Sequence, residues 1–330
     1  MTEAQETVGR TEFEFPSADG ASTVHGVLWV PLAMERLEGS PDQLGLFRPR
    51  GVVQLVHGMA EHISRYDDFA RFLASQGFLV GGHDHIGHGS TAPDAAGRGV
   101  VDADTGAQAM IEDVQQMRLM LTQQVVPGTP YFLFGHSMGS LVVRSYLPQY
   151  GEGLTGAIIC GTANEPTVVS AAGNQLARLI ARVRGNDYKS ELLHSLADGA
   201  YSRAIKDART PFDWLSRDPK VADEFMADET TGFMFGAGAY AALTELAHRA
   251  ASPKTLAATP HALPLLYIAG EADPVGKCGK GVAKAAEAME QAGAEDVTLK
   301  LYPAMRHEIL NEYGKEDVYR YILDWIEARA

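Results

Sequence analysis

Near its start the chain places apolar residues in period two, Phe13 and Phe15, then Val24, Leu28 and Val30, on either side of Ser17-Ala18-Asp19-Gly20. Alternation interrupted by a turn cluster predicts two antiparallel strands. From Gly51 onward the pattern changes to short apolar runs separated by stretches of helical spacing. Residues 52–56, 78–82, 131–134, 154–160, 265–269 and 297–302 read as strands, and 66–75, 107–121 and 318–328 as helices. Strand and helix in alternation predict an α/β fold, a mostly parallel eight-stranded sheet flanked by helices.

One block breaks the rhythm. Between residues 165 and 235 there is no strand pattern, while Val169, Ala172, Leu176, Leu179, Ile180 and Val183 recur at helical spacing with Arg178, Arg182 and Arg184 interleaved. We read this block as a helical insertion lying over the carboxyl ends of the strands. It divides the chain into a first core part (1–164), the insertion (165–235) and a second core part (236–330). Most of its apolar residues are expected to pack on the main domain, with Phe233, Met234 and Phe235 as candidates to line a pocket. Pro41, Gly45 and Pro49 mark the stretch from Gly39 to Arg50 as an exposed loop.

Composition narrows the function classes. The 330 residues are 45% apolar, enough for a full core and one catalytic unit. Twenty-eight basic against 42 acidic residues leave a net charge of −14, which repels phosphate backbones and anionic lipid surfaces. Nucleic acid is therefore not an expected partner, and membrane contact is expected to be at most transient and made through the insertion. No apolar run approaches the roughly 20 residues of a membrane span, and Met1 to Arg10 lack a signal-peptide core, so a cytoplasmic location is expected. Cys160 and Cys278 have no metal-ligand spacing and are expected to be unpaired thiols.

The strand at Tyr131 runs into Gly135-His136-Ser137-Met138-Gly139 and then into a helical stretch reaching Tyr146. Strand, sharp turn and helix around G-x-S-x-G are the context of a nucleophile elbow, which makes Ser137 the candidate nucleophile. A serine hydroxyl needs a base in reach and a third group to orient that base. Asp273, directly after one strand, and His307, shortly after the last, supply them in the chain order Ser, Asp, His; Glu271 is the second candidate for the acid. A tetrahedral intermediate also needs two amide donors. The backbone N–H groups of Met138 and of Met59, in the loop after the first parallel strand, are the candidates.

Together His57-Gly58-Met59-Ala60-Glu61-His62 with Arg65-Tyr66, Asp84-His85-Ile86-Gly87-His88-Gly89-Ser90, the Gly135 to Gly139 elbow, Trp214-Leu215-Ser216-Arg217-Asp218 and Arg306-His307-Glu308-Ile309-Leu310-Asn311-Glu312 resemble the monoacylglycerol lipase and lysophospholipase branch of the α/β-hydrolase superfamily. That branch also contains serine aminopeptidase-like members, and the resemblance runs from Phe13 to Trp325. It implies an α/β-hydrolase fold with a helical cap and a serine esterase that uses no metal and no cofactor, with a small-molecule ester or lipid as substrate. It also implies that Glu61 and Arg65 lie near the polar head of the substrate, a structural ion pair between the two being the alternative. Met59 stands where some members have Ala, and Ile86 replaces the more usual Arg.

A small-ester esterase and a serine aminopeptidase are the competing enzyme readings. An aminopeptidase needs acidic side chains to hold the substrate amine, and Asp187, Asp198, Asp223 and Glu224 in the insertion are candidates. A triad-bearing ligand-binding protein with negligible turnover is the reading from another class. His83-Asp84-His85 with His88 lacks the aspartate a binuclear metal motif needs at Gly87, and Gly270 to Lys277 has the wrong spacing for a phosphate loop.

Overall fold

The computed structural model describes residues 7–34, 46–197, 199 and 201–330. Most of the loop expected between Gly39 and Arg50 lies outside the described residues, as does Asp198. The strands are β1 (Val8–Pro16), β2 (Thr23–Pro31), β3 (Val52–Val56), β4 (Leu79–His83), β5 (Tyr131–His136), β6 (Gly156–Cys160), β7 (Leu265–Gly270) and β8 (Val297–Tyr302). They form one eight-stranded sheet in the order β1-β2-β4-β3-β5-β6-β7-β8. β1 and β2 form the expected hairpin, β2 meets β4 antiparallel, and the rest run parallel. This is the α/β-hydrolase fold.

Alternation along the parallel strands builds a core on each face of the sheet. Val53, Leu55, Phe132, Phe134, Ile158 and Ile268 point to one face, where α1 (Asp67–Ser75) and the last helix, α10 (Lys315–Glu327), cover them. Val52, Val56, Leu133, Ala157, Ile159 and Tyr267 point to the other. That face carries α2 (Gly106–Thr122), α3 (Met138–Tyr150) and α9 (Lys280–Gln291). Because β3 to β8 are parallel, their following loops all open on one edge, where side chains from distant parts of the sequence meet.

Between β6 and β7 the chain is helical: α4 (Thr167–Arg184), α5 (Glu191–Ala197), α6 (Pro219–Ala227), α7 (Ala237–Ala251) and α8 (Pro253–Ala258). Here the expected burial pattern is corrected. On α4 the buried positions are Ser170, Asn174, Ala177 and Ala181, while Val169, Leu179 and Val183 are 56%, 60% and 71% exposed. Leu176 and Ile180 are only partly buried. The physical reason is close helix packing. α4 turns its small and polar stripe toward α7, whose inner surface is Ala239, Ala241 and Ala242, and Asn174 Nδ2 donates to Ala241 O at 2.7 Å. α7 was not legible as a helix because a run of alanines and glycine carries little apolar periodicity.

Candidate active site

The elbow is shaped by two glycines and one strained serine. A Cβ on Gly139 would sit 2.1 Å from Val56 O, and one on Gly135 would sit 2.5 Å from Gly139 O, so neither position accepts a side chain. Ser137 is held at φ 53, ψ −119, with its N–H donating to Cys160 O at 3.0 Å. This conformation costs about 1–3 kcal/mol in a non-glycine residue and persists because β5, β6 and α3 determine it from both sides. From Tyr131 to Leu147 Ser137 alone is not buried.

Asp273 follows β7 and His307 follows β8, and the structure brings them together: His307 Nδ1 lies 3.0 Å from Asp273 Oδ2, with the two residues 2% and 0% exposed. The other oxygen, Asp273 Oδ1, accepts from Val275 N–H at 2.8 Å, which leaves Oδ2 aimed at the ring. Glu271, the second candidate acid, is exposed. Ser137 and His307 line one cavity of about 350 Å³. The loops at the sheet edge form its floor, and the described residues between 194 and 234 cover it with Tyr201, Phe212, Trp214, Phe225, Phe233 and Met234. Phe235 is fully buried against His88 and Tyr240, away from this lining. Such a volume and mostly apolar lining suit a small ligand.

Met59 and Met138 line the same cavity, and neither backbone N–H is taken by a backbone carbonyl among the described residues. The Met59 loop is close to the elbow, since a Cβ on Gly58 would lie 3.1 Å from Ser137 Cβ. Ala60, in the left-handed region at φ 52, turns the chain, and its carbonyl accepts from Gly232 N–H of the covering segment at 2.9 Å.

Glu61 and Arg65 take different places. Glu61 lines the cavity, whereas Arg65 lies in a neighbouring cleft and is held by carboxylates. Arg65 Nη1 donates to Glu61 Oε2 at 2.9 Å and to Glu308 Oε1 at 2.6 Å, and Nη2 to Glu308 Oε2 at 2.8 Å. The ion pair is thus what the structure contains, extended by a third member the sequence reading missed. Glu61 Oε1 also accepts from Gly58 N–H at 2.5 Å and Tyr66 OH at 2.8 Å. One carboxylate therefore ties the Met59 loop to Arg65, and Arg65 ties both to the residue after His307.

His136 belongs to this network too. Tyr66 OH donates to Glu61, so the 2.9 Å contact between Tyr66 OH and His136 Nδ1 is donated by the ring. His136 Nε2 faces the carbonyl of His307 at 3.3 Å, and the two rings lie 4.6 Å apart. Two acceptors on two nitrogens describe an imidazolium. Burial opposes that charge, but the Glu61 hydrogen bond and the charges of Glu61 and Glu308 outweigh it and raise the His136 pKa. Burial likewise pushes Glu61 upward, and His136 and Arg65 overcome it and hold it well below the usual carboxylate range. His136 was legible only as the variable position of the elbow motif.

The covering segment is stitched to the His307 loop. Glu308 N–H donates to Leu215 O at 2.7 Å, and the Trp214 ring lies 5.1 Å from His307. Buried Glu312 accepts from the amides of Arg217 and Arg306 at 3.0 and 2.8 Å, and from Arg217 Nε at 3.0 Å. These contacts account for the two distant segments, 214–218 and 306–312, that stood out in the sequence.

Residues 48–314 match the sequence profile of the family described as "Serine aminopeptidase, S33". The chain belongs to that family. It is 29% identical over 320 residues to the monoacylglycerol lipase of Mycolicibacterium smegmatis, which covers 96% of this chain and 97% of that one. Human monoglyceride lipase is 27% identical over 286 residues, 86% of this chain and 84% of its own. Among solved structures, a thermostable carboxyl esterase from Bacillus coagulans superposes with a TM-score of 0.85 at 31% identity, over 97% of this chain and 99% of that one. The protein is an α/β-hydrolase of the monoacylglycerol lipase-like branch.

In this hydrolase Asp84 organises a loop. Its Oδ1 accepts from Ile63 N–H at 2.7 Å and its Oδ2 from Ser90 N–H at 2.9 Å, and His25 Nδ1 lies 3.2 Å away. Burial raises its pKa, but these bonds prevail and bring it down to about 2. Among the described residues no group of three or more His, Cys, Asp or Glu is arranged to hold a metal, and no helix is long and apolar enough to cross a membrane. Cys160 is buried and Cys278 exposed, both unpaired.

Proposed function

We propose that this hydrolase cleaves carboxylic esters with one apolar acyl chain, monoacylglycerols or lysophospholipids above all, through an acyl-Ser137 intermediate. The observation that carries the reading is the buried Asp273–His307 contact on the floor of an apolar cavity into which strained Ser137 opens. His307 takes the Ser137 proton as Oγ attacks the ester carbonyl, and returns it to the leaving alcohol. Asp273 fixes the ring tautomer and stabilises the imidazolium. The Met59 and Met138 amides stabilise the oxyanion, each on the order of 100- to 1,000-fold in turnover. Water then repeats the sequence on the acyl-enzyme. Residues 165–235 serve as the cap, and its aromatic side chains receive the acyl chain.

An amine-binding site needs a free carboxylate. Glu61 and Glu308 line the cavity, but both are already engaged by Arg65, with His136 beside Glu61, and Asp187, Asp223 and Glu224 do not line it. This supports an ester over an aminopeptidase substrate. Treatment with a fluorophosphonate followed by peptide mass spectrometry tests the nucleophile; labelling is expected at Ser137 alone and is lost in Ser137→Ala. A p-nitrophenyl acyl series compared with amino-acid p-nitroanilides tests the substrate class, and hydrolysis of only the anilides would overturn the ester reading.

A further inference from the structure

The acidic character of this chain is locally reversed away from the main cavity. A cleft of about 500 Å³ lies between the start of α4, the end of α7, α8 and the first turns of α9, and Arg144, Lys277, Lys280 and Lys284 line it against a single carboxylate, Glu165. Glu165 Oε2 is already engaged by Lys277 Nζ at 2.8 Å. Lys280 and Lys284, one turn apart on α9 and both exposed, have no ion pair among the described residues.

Arg144 is the informative member. It is 4% exposed, yet among the described residues its guanidinium meets no carboxylate. Nη1 donates to Thr162 Oγ1 and Ala163 O, Nη2 to Asn164 Oδ1 and Ala250 O, and Nε has no acceptor. Burial pushes its pKa down. A buried cation with only neutral acceptors is costly, and an anion in the cleft offsets that cost. Apolar side chains, Leu256 and Ala288 among them, share the lining with the cations.

We propose that this cleft is a second binding site, for an anionic amphiphile: a carboxylate or phosphate carried on a hydrocarbon tail. It shares no lining residue with the cavity at Ser137. It is nevertheless coupled to it by two elements. Arg144 stands within two turns of Ser137 on α3. Lys277 belongs to the Asp273 loop, which is closed by Cys278 N–H on Asp273 O at 2.8 Å.

Isothermal titration of the full chain with decyl phosphate, decanoate, inorganic phosphate and decanol tests the site. The two amphiphilic anions are expected to show a saturable site that decanol lacks. Its affinity should fall about tenfold or more in the Lys280→Glu/Lys284→Glu double variant, and again as salt rises from about 0.05 to about 0.5 M. Decanol, which reports the apolar cavity, should bind the variant as it binds the wild type, showing that the variant is folded. Equal affinity of both anions for the wild type and the variant would overturn the proposal, because all binding would then belong to the cavity at Ser137. Inorganic phosphate binding as tightly as decyl phosphate would overturn the amphiphile, and the order of decanoate and decyl phosphate identifies the head group.

Discussion

The floor and the cover of the main cavity are built on opposite principles. The floor is a set of charged and polar groups, each fixed by partners from another loop: Glu61, Arg65 and Glu308 in one bridge, His136 beside it, Asp273 on His307. The cover lines the cavity with Tyr201, Phe212, Trp214, Phe225, Phe233 and Met234, and α4, which adds nothing to that lining, buries small residues and exposes large apolar ones, Val168 at 77% and Val183 at 71%. Reacting groups need placement to within about 0.5 Å, which directional, charge-assisted bonds in a dry site supply. A surface that receives an acyl chain needs shape and apolarity, which non-directional packing supplies. The two meet at a seam where Glu312 holds the cover to the His307 loop.

The largest expected effect is on the floor. Ser137→Ala should lower ester hydrolysis by about 10⁴-fold or more at unchanged stability, checked by kcat/KM alongside a denaturant midpoint. Retained activity would remove Ser137 from the chemistry.

Acid separates the regions next. Burial pushes His83, at the end of β4, and His88, in the loop after it, down to about 3. The unfolded chain binds those protons near 6.5 and the folded one does not, so stability is full above that pH and is lost as pH falls from 6.5 toward 3. The two together amount to several kcal/mol, a large part of a typical domain's stability. Chemical denaturation at a series of pH values should show this decline, and a flat profile between pH 6.5 and 4 would contradict it.

Breaking the bridge comes third. Arg65→Met leaves two buried carboxylates without their cation and is expected to cost about 3–5 kcal/mol of stability, with a fall in kcat because the Met59 and His307 loops lose their common tie. Replacing Arg65 and Glu308 together by apolar residues of similar volume should restore part of the stability but not the turnover, because Glu61 keeps its Gly58, Tyr66 and His136 partners. The smallest effect belongs to the cover: Leu179→Ser and Val183→Ser should each stay within about 0.5 kcal/mol of the wild type by thermal melting. A larger loss would mean that α4 is packed by something beyond the contacts of this chain.

Local pattern alone was enough for the strand order of the chemistry. Each parallel strand announced itself by a short apolar run, and the elbow by glycines that no other residue can replace, so Ser137, Asp273 and His307 were readable as an ordered set. Met59 was a candidate because its loop follows the first parallel strand, and the structure sets it in the lining of the Ser137 cavity. The alanine-rich α7 and the exposed face of α4 were not readable, since apolar spacing marks a stripe without saying which partner buries it.

What the amino-acid sequence by itself determined is therefore the α/β-hydrolase sheet, its order of elements and the residue types set at its carboxyl edge, because period and turn chemistry are properties of neighbours in the chain. Only the tertiary structure decided that Arg65 faces Glu308, 243 positions away, instead of the cavity. It also decided that His136 lies against His307 and that Arg144 is buried without a counter-charge. These are outcomes of loops converging from separate strands, and no local pattern encodes which distant charge a side chain meets.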